Sequence, residues 1–394
     1  NIVAFYIDVV KLKQNLIQNA ISIKIMKIGI VGRPHVGKTT VFNAIAHSNA
    51  EVGNYTNKNQ VNLSTVSVPD DRLKPLQDVF ESKETIPATI DYIDRGITSP
   101  HAINPNMENA QQTSLDAEVL GELRTVDALA HVVRLFEDDT VPHVDGNVDG
   151  IRDIETVDLE FIFADLQIIE GRLSRLEKLL KNEKTPEHLN EYRVLEQFQT
   201  TLKNGKPLRS LTLSDQDEML IRGYGFLTLK PILIVLNISE TQLHKVDETR
   251  NRFRELGKYP KTAIIVLAAQ LEMEIAQLDQ EDAEVFMIEM GLKESALERF
   301  IQISYRLMGL ITFFTGGPKE VRARTLRDGQ TAVEAAGEIH TDFERGFVRS
   351  ECINWKDLVT CGSYSEARNK GVLRVEGKSY EVQEGDVLNI LANP

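Results

Sequence analysis

Cysteines, aromatic residues and long apolar runs are all scarce in this chain of 394 residues. Its two cysteines, Cys352 and Cys361, give neither a disulfide framework nor the paired spacing of a zinc site. No stretch approaches the roughly 18 consecutive apolar residues that span a bilayer, so we do not expect a membrane protein. Acidic residues outnumber basic ones and the net charge is −14, which argues against nonspecific binding to nucleic acid or to anionic membranes.

The chain does have enough apolar sequence, 42% of its residues, to bury the cores of two or three domains. Residues 1–25 have neither the basic start nor the small-residue cleavage site of a signal peptide, and Met26 looks like a natural first residue. We therefore expect residues 1–25 to be a non-native or disordered extension, and the protein to be cytoplasmic.

The most informative stretch is a glycine-containing loop between an apolar strand and a helix. It has the form G-x-x-x-x-G-K-T, in which Lys38 can reach the β- and γ-phosphates of a nucleotide and Thr39 can offer its hydroxyl to Mg²⁺. The strand before it and the helix after it favour a phosphate-binding loop over a merely structural turn. The nucleotide-binding residues predicted here are Gly32, Arg33, Pro34, His35, Val36, Gly37, Lys38, Thr39 and Thr40.

A predicted strand over residues 89–94 ends in Asp94, where a nucleotide hydrolase needs a carboxylate near Mg²⁺. The alternative is an ordinary aspartate in a turn. Further apolar strands are predicted over residues 127–136, 230–237 and 263–267. Ligands bind beyond the carboxyl ends of such strands. The loops at 237–240 and 268–272 can therefore both meet a nucleobase.

Residues 151–204 carry apolar residues at helical spacing in a highly charged background, which predicts two long antiparallel helices. We therefore predict an α/β fold: a P-loop NTPase domain, mostly parallel sheet with flanking helices, over residues 26–150 and 205–308. The helical arm over 151–204 is inserted into it.

Residues 309–394 predict a small α+β domain with strands at 312–314 and 320–325, a helix at 331–339 and a final strand pair at 372–375 and 380–382. This region is much less acidic than the rest of the chain. Its basic residues either meet RNA phosphates or form a solvated face. They are Lys319, Arg322, Arg324, Arg327, Arg345 and Arg349.

Together these stretches resemble the Obg-like ATPase family of YchF type, over residues 26–394. The resemblance is carried by residues 32–40 (GRPHVGKTT), 126–134 (VDALAHVVR), 237–240 (NISE), 314–316 (FTG) and 335–347 (AAGEIHTDFERGF). The last two are similar to the TGS domain, named for threonyl-tRNA synthetase, GTPase and SpoT. Residues 376–378 (EGK) and 384–387 (EGDV) continue that domain.

The resemblance implies an ATPase that prefers ATP to GTP and associates with ribosomes. A guanine-specific site uses the aspartate of an N-K-x-D motif, whereas residues 237–240 have no lysine and end in Glu240. Glu240 is longer than that aspartate, so the paired acceptance of guanine N1–H and N2–H₂ is lost and Asn237 is left free to meet adenine. The predicted base-binding residues are Asn237, Ile238, Glu240, Ala268 and Ala269.

Three departures from the family pattern fall on parts that sense or cleave the γ-phosphate. The metal motif, Asp94-Arg95-Gly96, is one residue shorter than D-x-x-G, so we expect the Gly96 amide to be displaced relative to the γ-phosphate. His35 stands where relatives usually carry asparagine, which bears on potassium dependence. The loop around Thr56, a candidate Mg²⁺ ligand, matches the family's first switch poorly.

The family also lacks a catalytic glutamine after its metal motif, and Ile97 matches the apolar residue found there instead. His101 in the following loop is the candidate for positioning the attacking water, and Lys38 for stabilising the transferred phosphoryl group.

These observations predict a monomeric, Mg²⁺-dependent ATPase of low turnover that hydrolyses ATP to ADP and phosphate and acts as a ribosome-associated switch. The alternatives are a nucleotide-gated ribosome- or RNA-binding module with negligible hydrolysis, and a GTPase. We expect a ribosomal or RNA partner, and neither DNA nor membrane.

Overall fold

A computed structural model of the protein describes residues 26–47, 62–94, 115, 117–182, 184–292 and 294–393. These residues form two compact units. The larger unit comprises the described parts of Lys27–Val66 and Asp91–Met308. The smaller comprises Met26, Ser67–Ile90 and the described part of Gly309–Pro394. Among the described residues, no helix is both long enough and apolar enough to cross a membrane.

Twelve strands and fourteen α-helices lie in the described parts of the chain. The strands are β1 (Lys27–Val31), β2 (Asn62–Ser67), β3 (Glu84–Ile86), β4 (Thr89–Asp94), β5 (Ala128–Arg134), β6 (Ile232–Asn237), β7 (Thr262–Leu267), β8 (Leu310–Gly316), β9 (Glu320–Arg327), β10 (Phe347–Asn354), β11 (Arg374–Glu376) and β12 (Asp386–Ala392). The helices are α1 (Lys38–His47), α2 (Leu73–Phe80), α3 (Ala117–Leu123), α4 (Gly150–Asn182), α5 (Pro186–Lys203), α6 (Asp215–Ile221), α7 (Val246–Phe253), α8 (Ala269–Ile275), α9 (Gln280–Glu289), α10 (Ala296–Leu307), α11 (Ala332–Ile339), α12 (Thr341–Arg345), α13 (Trp355–Cys361) and α14 (Tyr364–Asn369).

The larger unit is built on a six-stranded sheet in the order β2-β4-β1-β5-β6-β7. The pairs β1–β4, β1–β5, β5–β6 and β6–β7 are all parallel. Every residue of β5 and β6 is buried, which is why both strands appear in the sequence as nearly unbroken apolar runs. Their carboxyl ends lie on one edge of the sheet together with the end of β1. The predicted α/β fold is confirmed.

The predicted arm is present as α4 and α5, which pack side by side around a core that includes Ile169, Leu173 and Phe198. Its bounds differ from the prediction at both ends. The first turns of α4 belong to the core of the larger unit, where Val157 packs beneath the sheet. At the other end, the arm core extends past residue 204 as far as Phe226.

A buried carboxylate closes the base of the arm. Asp165 of α4 is fully buried and accepts hydrogen bonds from the Thr228 amide at 2.9 Å and the Thr228 hydroxyl at 2.8 Å. It also accepts from the Arg124 guanidinium at 2.7 Å. A buried charge paired and hydrogen-bonded in this way holds its partners in one arrangement, because losing Arg124 would leave the charge uncompensated. The helix is thereby fixed to the chain that returns from the arm.

The smaller unit has its own six-stranded sheet, in the order β11-β10-β12-β8-β9-β3. The predicted strands at 312–314 and 320–325 lie within the antiparallel pair β8–β9. The predicted helix is α11, which Thr331 and Glu334 cap with reciprocal hydrogen bonds. The predicted pair 372–375 with 380–382 is wrong. The strand β11 instead pairs with β10, and Glu381 bridges to Thr331, because each finds its partner at long range.

Residues 67–90 were predicted in the nucleotide domain, but the structure places them in the smaller unit. The reason is a nonlocal pairing. Strand β3 lies parallel to β9, with Thr85 opposite Val321. Arg72 reinforces this by pairing with Glu384 and by lying 4.9 Å from the centre of the Phe314 ring. The smaller unit therefore uses two distant segments of the chain.

Candidate phosphate-binding site

The loop between β1 and α1 has a shape that only glycine permits at two positions. Gly32 has φ 153°, and a Cβ atom there would lie 2.3 Å from the carbonyl oxygen of Val132. Gly37 has φ 94°, and its Cβ would lie 2.4 Å from Nδ2 of Asn237. Larger residues would therefore displace either β5 or the end of β6. The backbone curls tightly against two strand ends and leads into the N-terminus of α1.

His35, near the top of the same loop, has φ 60° although it is not glycine. A left-handed conformation costs an ordinary residue about 1–2 kcal/mol, so contacts elsewhere in the loop must maintain it. The ring is exposed. The left-handed conformation at His35 is therefore maintained by contacts with neighbouring residues and not by the intrinsic backbone preference of histidine.

Lys38 is buried, and its ammonium group lies over the loop. Its Nζ donates to the carbonyl oxygens of Gly32 at 3.0 Å and Arg33 at 2.7 Å. Burial lowers the pKa of Lys38 to about 8, and the nearby charge of Asp94 opposes this shift. A cation with little water around it interacts strongly with an incoming anion, because the effective dielectric constant there is low.

Asp94, at the end of β4, is completely buried beside the start of α1. The Thr39 hydroxyl donates to its Oδ2 at 3.3 Å, and its Oδ1 has no hydrogen-bond partner among the described residues. Burial raises the pKa of Asp94, whereas the Lys38 charge and the Thr39 hydrogen bond lower it. A hydroxyl and a carboxylate with an unpaired buried oxygen make a donor set that suits Mg²⁺, which prefers hard oxygen ligands.

Asn237 joins two loops at this edge of the sheet. Its Nδ2 donates to the carbonyl oxygen of Val36 at 3.0 Å, and its Oδ1 accepts from the amide of Ala269 at 3.0 Å. The side chain is buried, and these two bonds use one N–H of Nδ2 and one lone pair of Oδ1. Its contact with adenine stays a prediction. The Asn237 side chain fixes the phosphate loop to the loop after β7.

The remaining predicted base-binding residues surround that junction. Ile238, Ala268 and Ala269 are buried, whereas Glu240 is exposed at the start of a helical turn. The structure brings these residues together at the ends of β6 and β7, and their contact with a base stays a prediction. Three further predicted site residues lie outside the described residues. They are Thr56, Gly96 and His101.

One part of the site has no counterpart in the sequence pattern. The Arg33 side chain points away from the loop and forms an ion pair with Asp145 at 2.7 Å. Asp145 lies in a polar connection between β5 and α4, and nothing in its spacing distinguishes it from a solvated acidic residue. Only the fold brings it to the phosphate loop.

The lowered pKa of Lys38 predicts a specific dependence of stability on pH. Its value of about 8 lies below the ordinary value of 10.5, so the unfolded chain binds more protons between these two pH values. The wild-type free energy of unfolding should therefore rise with pH across this window, relative to Lys38→Met. Urea denaturation of both proteins from pH 7 to pH 10.5 should show a relative gain of about 3 kcal/mol. A constant difference would contradict the burial of a charged ammonium.

Comparisons with known proteins agree with this geometry. Residues 310–393 match the family model of the YchF GTPase C-terminal region, described as a protein of unknown function (DUF933). Residues 26–74, which contain the phosphate loop, match the N-terminal model of ferrous iron transport protein B.

Full-length relatives give the broader relationship. The chain is 40% identical to the ribosome-binding ATPase YchF of Bacillus subtilis, over 93% of this chain and 98% of that protein. It is 37% identical to the ribosome-binding ATPase YchF of Escherichia coli O157:H7, over 93% and 99%. The structure of the Schizosaccharomyces pombe YchF GTPase superposes with a TM-score of 0.79 at 29% identity, over 93% of this chain and 97% of that one. The chain therefore belongs to the YchF family.

Proposed function

We propose that the protein is a Mg²⁺-dependent ATPase of low turnover whose nucleotide state controls its association with the ribosome. The observation that carries this proposal is the buried Lys38 ammonium on a loop whose curl requires Gly32 and Gly37. Loops of this shape direct backbone N–H groups at phosphate oxygens, and the N-terminus of α1 adds a favourable dipole.

The chemistry assigned to each residue follows from its position. Lys38 stabilises the charge that develops on the transferred phosphoryl group. The Thr39 hydroxyl and the Asp94 carboxylate would hold Mg²⁺, which when bound neutralises charge on the β- and γ-phosphates. Thr56 is proposed as a further ligand, and His101 as the residue that positions the attacking water.

The preference for ATP rests on the loop after β6. Residues 237–240 read Asn-Ile-Ser-Glu, so the lysine and aspartate that recognise guanine elsewhere are missing. We assign adenine recognition to Asn237, Ile238, Glu240, Ala268 and Ala269, and Asn237 also holds the two loops in place. Glu240 is the one charged group among them, and it is exposed.

Ribosome association is proposed from the names of the relatives, which are ribosome-binding ATPases. This chain has two elements of the right kind: the packed helix pair α4–α5 and the smaller unit with its arginine-rich strand β9. Arg322 and Arg324 of that strand are partly engaged within the unit, by Glu320 and by the Glu338 carbonyl respectively. A cytoplasmic location follows from this proposal.

Steady-state release of phosphate from MgATP tests the enzymatic part. We expect slow turnover by the wild type and a loss of about a hundredfold in Lys38→Ala, because a charge-stabilising donor is removed. Wild-type turnover equal to that of Lys38→Ala would instead support a nucleotide-gated module without hydrolysis, in line with the shortened motif at Asp94.

Base preference can be measured by competition against a fluorescent ATP analogue. ATP should displace the analogue at about tenfold lower concentration than GTP, because Glu240 is longer than the aspartate of a guanine-specific site and does not accept the N1–H and N2–H groups of guanine together. CTP is the control for contacts to the phosphates alone. Tighter competition by GTP would contradict the preference for ATP and favour the GTPase alternative.

Co-sedimentation with ribosomes tests the switch. The fraction of wild-type protein in the ribosome pellet should differ between MgATP and nucleotide-free buffer. The fraction of Lys38→Ala in the pellet should be the same in both buffers, because this variant lacks the ammonium that contacts the triphosphate. Equal pelleting of the wild type in both buffers would refute control by the nucleotide.

A further inference from the structure

Three contacts hold the phosphate loop in its curled shape. Asn237 donates to the Val36 carbonyl, Lys38 donates to the Gly32 and Arg33 carbonyls, and the Arg33 side chain reaches acidic residues beyond β5. The second contact uses the same ammonium that the proposed function directs to a phosphate. When the Lys38 ammonium binds a phosphate, the shape of the loop, including the left-handed conformation of His35, depends more on the other two contacts.

The Arg33 guanidinium is well placed to be one of these. Its side chain is only 9% exposed, and it lies 2.7 Å from Oδ2 of Asp145 and 3.9 Å from Oδ1 of Asp153. Asp153 is itself buried, in the first turn of α4. Arg33 therefore connects the phosphate loop directly to the helix that continues into the arm.

His143 contacts both acidic residues, through the backbone amide of Asp145 and the carboxylate of Asp153. The Asp145 amide donates to Nδ1 of His143 at 3.1 Å, so the ring proton is on Nε2, which lies 2.9 Å from Oδ2 of Asp153. Arg152 completes the cluster, 3.3 Å from Asp153 and 3.5 Å from Asp145. Two guanidinium groups thus balance two carboxylates around a histidine with a defined tautomer.

The balance of charges distinguishes a metal site from an internal ion-pair cluster. His143, Asp145 and Asp153 have ligand atoms within 4.8 Å of one another, as a metal site would. However, both carboxylates already face Arg33 and Arg152, and a divalent cation would have to displace or approach these two positive charges. The arrangement favours an internal ion-pair cluster over a cation site.

We infer that Arg33 is a positioning residue of the phosphate loop, which its ion pairs with Asp145 and Asp153 keep in the phosphate-binding shape when Lys38 engages a phosphate. This inference rests on the proposed nucleotide site. Arg33 acts through the loop backbone and touches neither the phosphate nor the base. Losing the anchor weakens nucleotide binding, because the free energy needed to hold the curl is then drawn from the binding reaction.

The test is the dissociation constant of MgATP for full-length variants, measured by isothermal titration. Arg33→Gln should bind about tenfold more weakly than the wild type, which corresponds to about 1.4 kcal/mol. Arg33→Lys, which keeps the charge, should recover part of this loss. Arg152→Gln is the matched control, because it removes a guanidinium from the same two carboxylates without touching the loop. It should bind MgATP within about twofold of the wild type.

Thermal unfolding separates positioning from general stability. Arg33→Gln and Arg152→Gln should lower Tm by similar amounts, while only the former weakens binding. Equal loss of affinity in both variants, or unchanged affinity in Arg33→Gln, would overturn the inference.

Asp145→Ala removes the Arg33–Asp145 ion pair by changing its more exposed member. The inference therefore stays testable if Arg33→Gln folds poorly. Asp145→Ala should weaken binding several-fold, and the double variant should bind no worse than Arg33→Gln alone, since both lose one shared contact. Tighter binding by Asp145→Ala would show that Arg33 acts through charge rather than as an anchor, and would also overturn the inference. If the wild type binds no MgATP, the proposed function fails, which is a separate result.

Discussion

The close approach of the loop backbone to two strand ends is the constraint on which the proposed site depends. Gly32 touches the Val132 carbonyl of β5, and Gly37 touches the Asn237 amide at the end of β6. These contacts leave no room for a side chain at either position. They set where α1 begins, and thus where Lys38 and Thr39 lie relative to Asp94. The charged groups of the site are arranged by backbone packing first and by their mutual attraction second.

Local patterns made a large part of this arrangement predictable. A strand, a G-x-x-x-x-G-K-T loop and a helix follow one another within about 20 residues, so the sequence contains both the motif and its context. Strands β5, β6 and β7 are short apolar runs, and the arm helices have a clear helical period. Each of these signals lies within one element.

The features that could not be predicted are those that join distant segments. No local pattern shows that β3 pairs with β9 more than 230 residues later, or that Arg33 meets Asp145. The sequence predicted a contact between Asn237 and the base, but not that this side chain also joins two loops. A sequence shows which polar groups a side chain has, whereas only the fold shows that Val36 and Ala269 bind them.

The assembly of the smaller unit from two segments has a consequence for biosynthesis. Strand β3 leaves the ribosome long before its neighbour β9 has been synthesised. Its backbone N–H and C=O groups therefore stay unpaired until most of the chain has been made. A chain that stops at Met308 would leave β3 without its partner strand. A fragment that starts at Gly309 would leave β9 as an unpaired edge strand, which favours aggregation. The C-terminal region matches a family model of its own, yet its sheet is complete only with β3 from residues 84–86.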